Sequence, residues 1–236
     1  MKKALLLSLT ICLTTTQLSF ASGPQDWDAQ GRYLYKHGDF IKSIEAFNNA
    51  LKVDSKYNES YYNRAMVYVK TNNFKAAEAD FDRFFKLTPA YKTFFTSDII
   101  NTLVENKNPE LAVKYANMNI QEEPSPQSYV LRAKLNAEIG RPKEALSDAN
   151  KALTLDPNYN PAYYEAGNAN LSMGNYLQAV NNLNKFLETN PNSAEALVAR
   201  ASAFYKQGDK KNALYDYQRA IQINAEYKNN IPSDLK

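Results

Sequence analysis

Apolar and polar positions change their period once along this chain. From Ala4 to Leu13 the residues ALLLSLTICL are almost continuously apolar and follow Lys2 and Lys3. Past residue 23 the pattern becomes periodic. Apolar residues recur three and four apart, in segments long enough for about three helical turns, and short polar breaks separate the segments. Residues 60–91, SYYNRAMVYVKTNNFKAAEADFDRFFKLTPAY, show two such segments around the break TNN. No stretch alternates with the period of two that a half-buried strand needs. Only seven Gly punctuate the 236 residues. The pattern therefore predicts an all-α protein of short amphipathic helices.

The opening run is a separate object. Basic residues, a short apolar core, the polar TTTQ and the small residues Ser19 and Ala21 form the layout of a secretory signal peptide, cleaved between Ala21 and Ser22. The run is too short for a stable membrane anchor. Cys12, the one cysteine, lies inside it, so the mature chain has no thiol. Ile11 stands before Cys12 where a lipoprotein signal needs a small residue, which argues against lipidation. The expected location is the periplasm or outside the cell.

The remaining segments repeat. The break positions Gly38, Asn72, Lys107, Gly140, Gly174 and Gly208 follow one another at 34, 35, 33, 34 and 34 residues. Pro89, Pro124, Pro157 and Pro191 keep the same beat. Within each period the first helix carries a large residue (Trp27, Tyr61, Tyr129, Tyr163, Leu197) and, one turn on, a small one (Gly31, Ala65, Ala133, Gly167, Ala201). The second opens on a small residue (Ser43, Ala77, Ala112, Ala145, Ala179, Ala213). A bulky one follows it at Phe47, Phe81, Leu183 and Tyr217. Small residues let paired helices approach, and bulky ones fill the space between units.

This pattern resembles the tetratricopeptide repeat (TPR) over nearly the whole mature chain. The resemblance implies a right-handed superhelical solenoid of about six helix-turn-helix units. Residues 22–227 form the array, in units 24–57, 58–91, 92–125, 126–159, 160–193 and 194–227, with a tail at 228–236. The third unit departs most from the pattern: Ile100 stands at the small position and Lys107–Asn108–Pro109 replaces the Gly turn. A local change of superhelical pitch is expected there.

Charge adds one internal regularity. Arg64, Arg132 and Arg200 share a register position in the first helix. Each is followed sixteen residues later by a carboxylate, Asp80, Asp148 and Asp216. The other units lack both members. Co-occurrence inside one chain predicts structural ion pairs tying the two helices of a unit together. Net charge is +3 for the whole chain, and removing Lys2 and Lys3 lowers it to +1. That balance gives no reason to propose nucleic acid or an anionic membrane as partner.

Candidate chemistry is sparse. His37 is the one histidine and falls in a turn. No cysteine–histidine set suits zinc, no triad can be assembled, and no phosphate loop occurs. No enzyme, metal or cofactor is expected. The resemblance implies binding instead, with the first helices lining a concave groove. From the register, the groove residues are Arg32, Tyr35, Tyr62, Asn63, Met66, Asn101, Lys134, Tyr164, Asn168 and Tyr205. Amides suit a partner's backbone and aromatic faces suit its side chains. A well-known subclass of the family grips chaperone C-terminal carboxylates with Lys, Asn and Arg across three units. Here Asn63 matches the middle element alone, while Asp28, Arg32, Phe94 and Asp98 depart, so that function is not carried over.

The expected function is a non-catalytic, exported protein-interaction scaffold that docks a partner peptide or helix. An accessory factor of bacterial envelope or pilus assembly is the alternative within binding, and a glycan-binding protein or hydrolase the alternative of another class. Three finer expectations concern packing. Asn170 and Asn136, one unit apart, could pair as amides. Asn175 serves the turn, and Asn168 faces the groove. At the C-terminal end, either Tyr227, Ile231 and Leu235 of the tail cover Ala213, Leu214, Tyr217 and Ile221, or a second subunit does, as a homodimer through that helix face.

Overall fold

The computed structural model describes residues 23–235. The leader at 1–21, with Cys12, lies outside them. The described residues form α-helices in consecutive pairs: α1 (Pro24–Lys36) with α2 (Phe40–Val53), α3 (Asn58–Lys70) with α4 (Phe74–Leu87), α5 (Lys92–Glu105) with α6 (Pro109–Glu122), α7 (Pro126–Glu138) with α8 (Pro142–Leu155), α9 (Asn160–Ser172) with α10 (Tyr176–Thr189), and α11 (Ala194–Lys206) with α12 (Lys210–Ile223). Each pair packs on the next, which makes a superhelical solenoid with no strand among the described residues.

The turns inside the pairs show why the beat exists. Gly38, Gly140, Gly174 and Gly208 adopt φ between +72° and +86°, and Asn72 and Lys107 adopt +57° and +59° at the same place. A left-handed residue ends the first helix, and the next residue caps the second. Asp39, Asn73, Asn108 and Asp209 each accept a backbone N–H from three residues on. Lys107 has the least suitable side chain for this backbone, in the unit that departs most from the repeat.

Close approach within pairs explains the small residues. A Cβ built on Gly31 would lie 2.5 Å from the Phe47 ring, and one on Gly167 would lie 2.7 Å from Leu183 Cγ. Each glycine is therefore the socket for the bulky residue of its partner helix.

The core differs along the array. In units two and three, Phe81, Phe84, Phe85, Ile99, Ile100, Leu103 and Tyr115 form one large buried cluster. The Tyr115 hydroxyl is buried within it and has no hydrogen-bond partner among the described residues. In units four and five the core is mainly methyl groups, with Ala133, Ala145 and Ala169 in one cluster. Successive pairs pack directly, α2 on α3, α6 on α7, α8 on α9 and α10 on α11. Helices α4 and α5 instead meet chiefly through the 3-10 turn Pro89–Tyr91 between them.

The charged residues form clamps across unit junctions. Arg64 donates through Nε and Nη2 to Asp80, both at 2.7 Å. Arg132 donates likewise to Asp148 at 2.8 and 2.5 Å, and Arg200 to Asp216 at 2.7 and 2.8 Å. The remaining Nη1 reaches back to the preceding unit. It donates to Asn48 from Arg64, and at 2.8 Å to Asn117 from Arg132 and to Asn184 from Arg200. Units one, three and five thus supply the amide and units two, four and six the Arg and Asp, which groups the array into three double units.

The amide pairing between Asn170 and Asn136 does not form. Asn136 donates to Asp148 at 3.1 Å, drawn there by the clamp's carboxylate. Asn170 donates to the Ala166 carbonyl and accepts from Asn175 at 3.3 Å. Both needs are met within a unit, which leaves nothing for the neighbour. At the C-terminal end the tail folds back as 3-10 turns, and Ile231 and Leu235 pack on Ala201, Ala213 and Tyr217.

Candidate functional site

The separation of α4 from α5 leaves a groove. It holds about 640 Å³ and is lined by α1 (Asp28, Arg32), the entry and start of α3 (Tyr57, Asn58, Glu59, Tyr62, Asn63), the end of α4 (Phe84, Thr88), the 3-10 turn (Tyr91) and α5 (Phe94, Phe95). Its floor is aromatic. Tyr62 lies against Phe84 and Phe95 with ring centroids 5.3 and 4.8 Å apart, and Phe84 meets Phe95 edge to face at 4.9 Å. On its rim Phe94 is 77% exposed and Tyr91 58% exposed. Single exposed apolar residues are ordinary, but two aromatic rings beside an open aromatic floor form a patch that suits a partner.

The polar wall is organised by one buried carboxylate. Asp28, 2% exposed, accepts from Ser60 Oγ, Asn63 Nδ2 and Arg32 Nε, each at 2.9 Å. Three donors satisfy a buried carboxylate that would otherwise be costly. The arrangement joins α1 to α3 and fixes Asn63 and Arg32 in orientation. The terminal guanidinium nitrogens of Arg32 stay directed to solvent, its side chain being 62% exposed.

Carboxylates of α5 lie beside Tyr62 and Tyr35. Tyr62 donates its hydroxyl to Asp98. Burial, followed by that hydrogen bond, pushes the Tyr62 hydroxyl well above the usual phenol range. Burial also raises Tyr35, helped by the nearby charges of Asp98 and Glu105. Tyr57 rises through burial and then Asp28 and Glu59, with Arg32 opposing.

Further along, α7 and α9 build a second polar patch. Glu165 is half-buried, and desolvation pushes its carboxyl up to about 7; Lys134 opposes the shift and Glu138 adds to it. The Tyr164 ring packs tilted against Phe186 with centroids 5.0 Å apart, and burial raises its hydroxyl while the Asn168 amide opposes.

The residues expected from the register fall into four groups. Arg32, Tyr62 and Asn63 converge on the aromatic groove, with Tyr35 near Asp98 and Glu105. Met66 packs on the large cluster, and Asn101 is exposed on α5. Lys134, Tyr164 and Asn168 lie around Glu165. Tyr205 differs from an open groove position, because its hydroxyl donates to Asp234 of the tail at 2.8 Å and Lys210 pairs with the same carboxylate. The tail reaches it because Ile231 and Leu235 are held on the last pair.

The groove residues expected from the register did not include Asp28, Phe94, Phe95 or Glu165, and the three clamp amides were not expected. A signal existed for Glu165, which shares the register position of Asn63 three units earlier. Phe94 and Phe95 had none, since their exposure depends on how far α5 stands from α4. Among the described residues no group of His, Cys, Asp and Glu is arranged to hold a metal, and no helix is long and apolar enough to cross a membrane.

Comparison with known proteins places this geometry. Models of the tetratricopeptide repeat match residues 29–91 and 164–229, and a second such model matches 126–159. The "DnaJ homolog subfamily C member 7 homolog" of Dictyostelium discoideum is 25% identical over 154 residues, 64% of this chain. The match spans 25% of that relative's length. Among solved structures, the C-terminal part of a TPR repeat-containing protein from Cytophaga hutchinsonii superposes with a TM-score of 0.62 at 21% identity, over 86% of this chain and 82% of that one. PilW, described as a type IV pilus biogenesis factor, superposes at 0.55 with 16% identity over 90% and 98%. A MamA fragment from Desulfovibrio magneticus RS-1 superposes at 0.53 with 22% identity over 57% and 77%. At these identities the structural likeness speaks for the fold alone. The repeat models match more than half of the chain, and the chain belongs to the tetratricopeptide repeat family, whose fold serves protein interaction.

Proposed function

We propose that this protein is a non-catalytic scaffold that docks a segment of a partner protein in the groove between α1, α3 and α5. The observation that carries the reading is the open aromatic floor beside a rigid polar wall. Tyr62, Phe84 and Phe95 form the floor, Phe94 and Tyr91 remain exposed at the rim, and Asp28 fixes Asn63 and Arg32. A groove already shaped before binding spends little ordering entropy on its own side chains. Rings bury a partner's apolar side chains, while the Asn63 carbonyl and the Arg32 guanidinium suit its backbone.

A photoreactive phenylalanine analogue at Phe94 tests this, with the same analogue at Leu177 as control. Leu177 is 62% exposed on α10, away from the groove. Capture of a protein partner at Phe94 and not at Leu177 is expected. Equal capture at both, or none at Phe94, would sink the groove reading.

We propose in addition that the chain is exported, on the layout of residues 1–21. N-terminal sequencing of the protein recovered from its own cells should begin at Ser22, and recovery of the chain from Met1 would refute export. An exported scaffold suits accessory roles in envelope or pilus assembly.

A further inference from the structure

We infer that the segment taken by this groove is basic, with Lys or Arg side chains alternating with apolar ones. The inference rests on the groove-binding reading above and identifies the chemistry of the occupant.

Charge sorting around the groove carries it. Glu59 is exposed on the groove wall, and Asp98 and Glu105 are exposed along α5. Among the described residues none of these three carboxylates takes part in an ion pair, although Asp98 accepts from Tyr62. Arg32 is the opposing cation, and the buried carboxylate of Asp28 offsets its charge at 2.9 Å. The uncompensated charge at the groove is thus negative, from Glu59 in its lining and from Asp98 beside Tyr62, with Glu105 farther along α5 near Tyr35, on a chain whose formal net charge is +3. Upward shifts at Tyr35, Tyr57 and Tyr62 report the same field, after burial in each case.

The rings favour the same occupant. Phe94, Phe95, Tyr91 and Tyr62 offer faces to an alkyl stem or a guanidinium plane, and a cation over an aromatic face is attracted by its quadrupole. A Lys or Arg side chain lays its stem on the floor and carries its charge to the carboxylate rim. An acidic segment would bring like charge to Glu59, Asp98 and Glu105. An uncharged one would leave those carboxylates partly desolvated and unpaired.

Three synthetic peptides test the inference on the full mature chain. One alternates Lys with Phe and Leu, and the others replace Lys with Glu and with Gln. Fluorescence polarisation should show the Lys peptide binding at least about fivefold more tightly than either. Added salt should weaken it. Glu59→Lys should erase most of the preference with an unchanged melting curve, since the residue is exposed. Phe94→Ala should weaken all three peptides together. Equal or tighter binding of the Glu or Gln peptide overturns the inference, as does failure of the Lys peptide to bind. Capture at Phe94 of a segment without basic residues would also overturn it while leaving the groove reading intact. Absence of capture at Phe94 defeats the groove reading itself.

Discussion

Around α4 and α5 the helices are held apart by rings; around α8 and α9 they meet over methyl groups. Phe81, Phe84, Phe85 and Tyr115 fill the first region, whereas Ala145, Ala149, Ala166 and Ala169 line the second. Rings pack well but cannot let backbones approach, so the neighbouring helix stands off and its outer rings remain at the surface. Alanines permit close approach of the helices. Both regions belong to the same repeat, so side-chain volume at equivalent positions decides which junction opens. The close-packed region then draws specificity from polar groups. Asp148, Asn136 and Asn170 are 4%, 5% and 5% exposed there, and each has partners.

The comparison can be broken at its ends. The largest effect is expected from Phe81→Ala. The ring is fully buried in the large cluster, so its loss should lower stability by about 3–5 kcal/mol in urea unfolding. A loss below about 1 kcal/mol would show that the ring block is loosely packed. In the alanine region the clamp takes the place of the ring. Asp148→Leu strands Arg132 and the Asn136 amide, and should cost about 2–3 kcal/mol, less than a fully buried pair because Arg132 is 23% exposed. The double change Arg132→Met with Asp148→Leu should recover most of that loss, since two apolar groups no longer leave a charge unpaired. If the double variant is as unstable as the sum of its singles, the clamp is not the unit of stability.

A smaller effect belongs to Glu165. Its carboxyl is raised from 4.5 to about 7 in the folded chain. Below about pH 4.5 it is protonated in both states, and its contribution is complete. As pH rises through about 7 the folded state must ionise a half-buried group, and stability falls. Of the helices packed on α9, α7 brings both charged groups that act on it, Lys134 and Glu138, while α8, α10 and α11 bring none among the described residues. Glu165→Gln should therefore gain about 2 kcal/mol near pH 8 and little near pH 4.5. Equal gains at the two pH values would remove the desolvation account.

The three asparagines of α9 and its turn show how far local reading extends. Asn175 was legible as turn chemistry because it follows Gly174, whose φ is +80°. Register assigns Asn168 to the groove face, and its amide lies beside the Tyr164 hydroxyl. Asn170 was not, because its partner depends on which acceptor is nearest, and the Ala166 carbonyl four residues back is nearer than the next unit. The clamp amides Asn48, Asn117 and Asn184 were hidden for a different reason. Asn is common along this chain, and the link crosses a unit junction, where register alone does not say which side chains meet.

The sequence by itself determined the helices, their pairing and the turns, because those follow from local spacing repeated six times. It also determined that Arg and Asp belong together, since both members sit inside one unit. What only the tertiary structure decided was the distance between units. That distance is set by the summed volume of side chains from different helices, and it opened the groove at α5 and let the helices approach closely at α9. The groove's charge was decided in the same way: Glu59 of α3 lines the groove, and Asp98 of α5 reaches its Tyr62, only once the solenoid has formed.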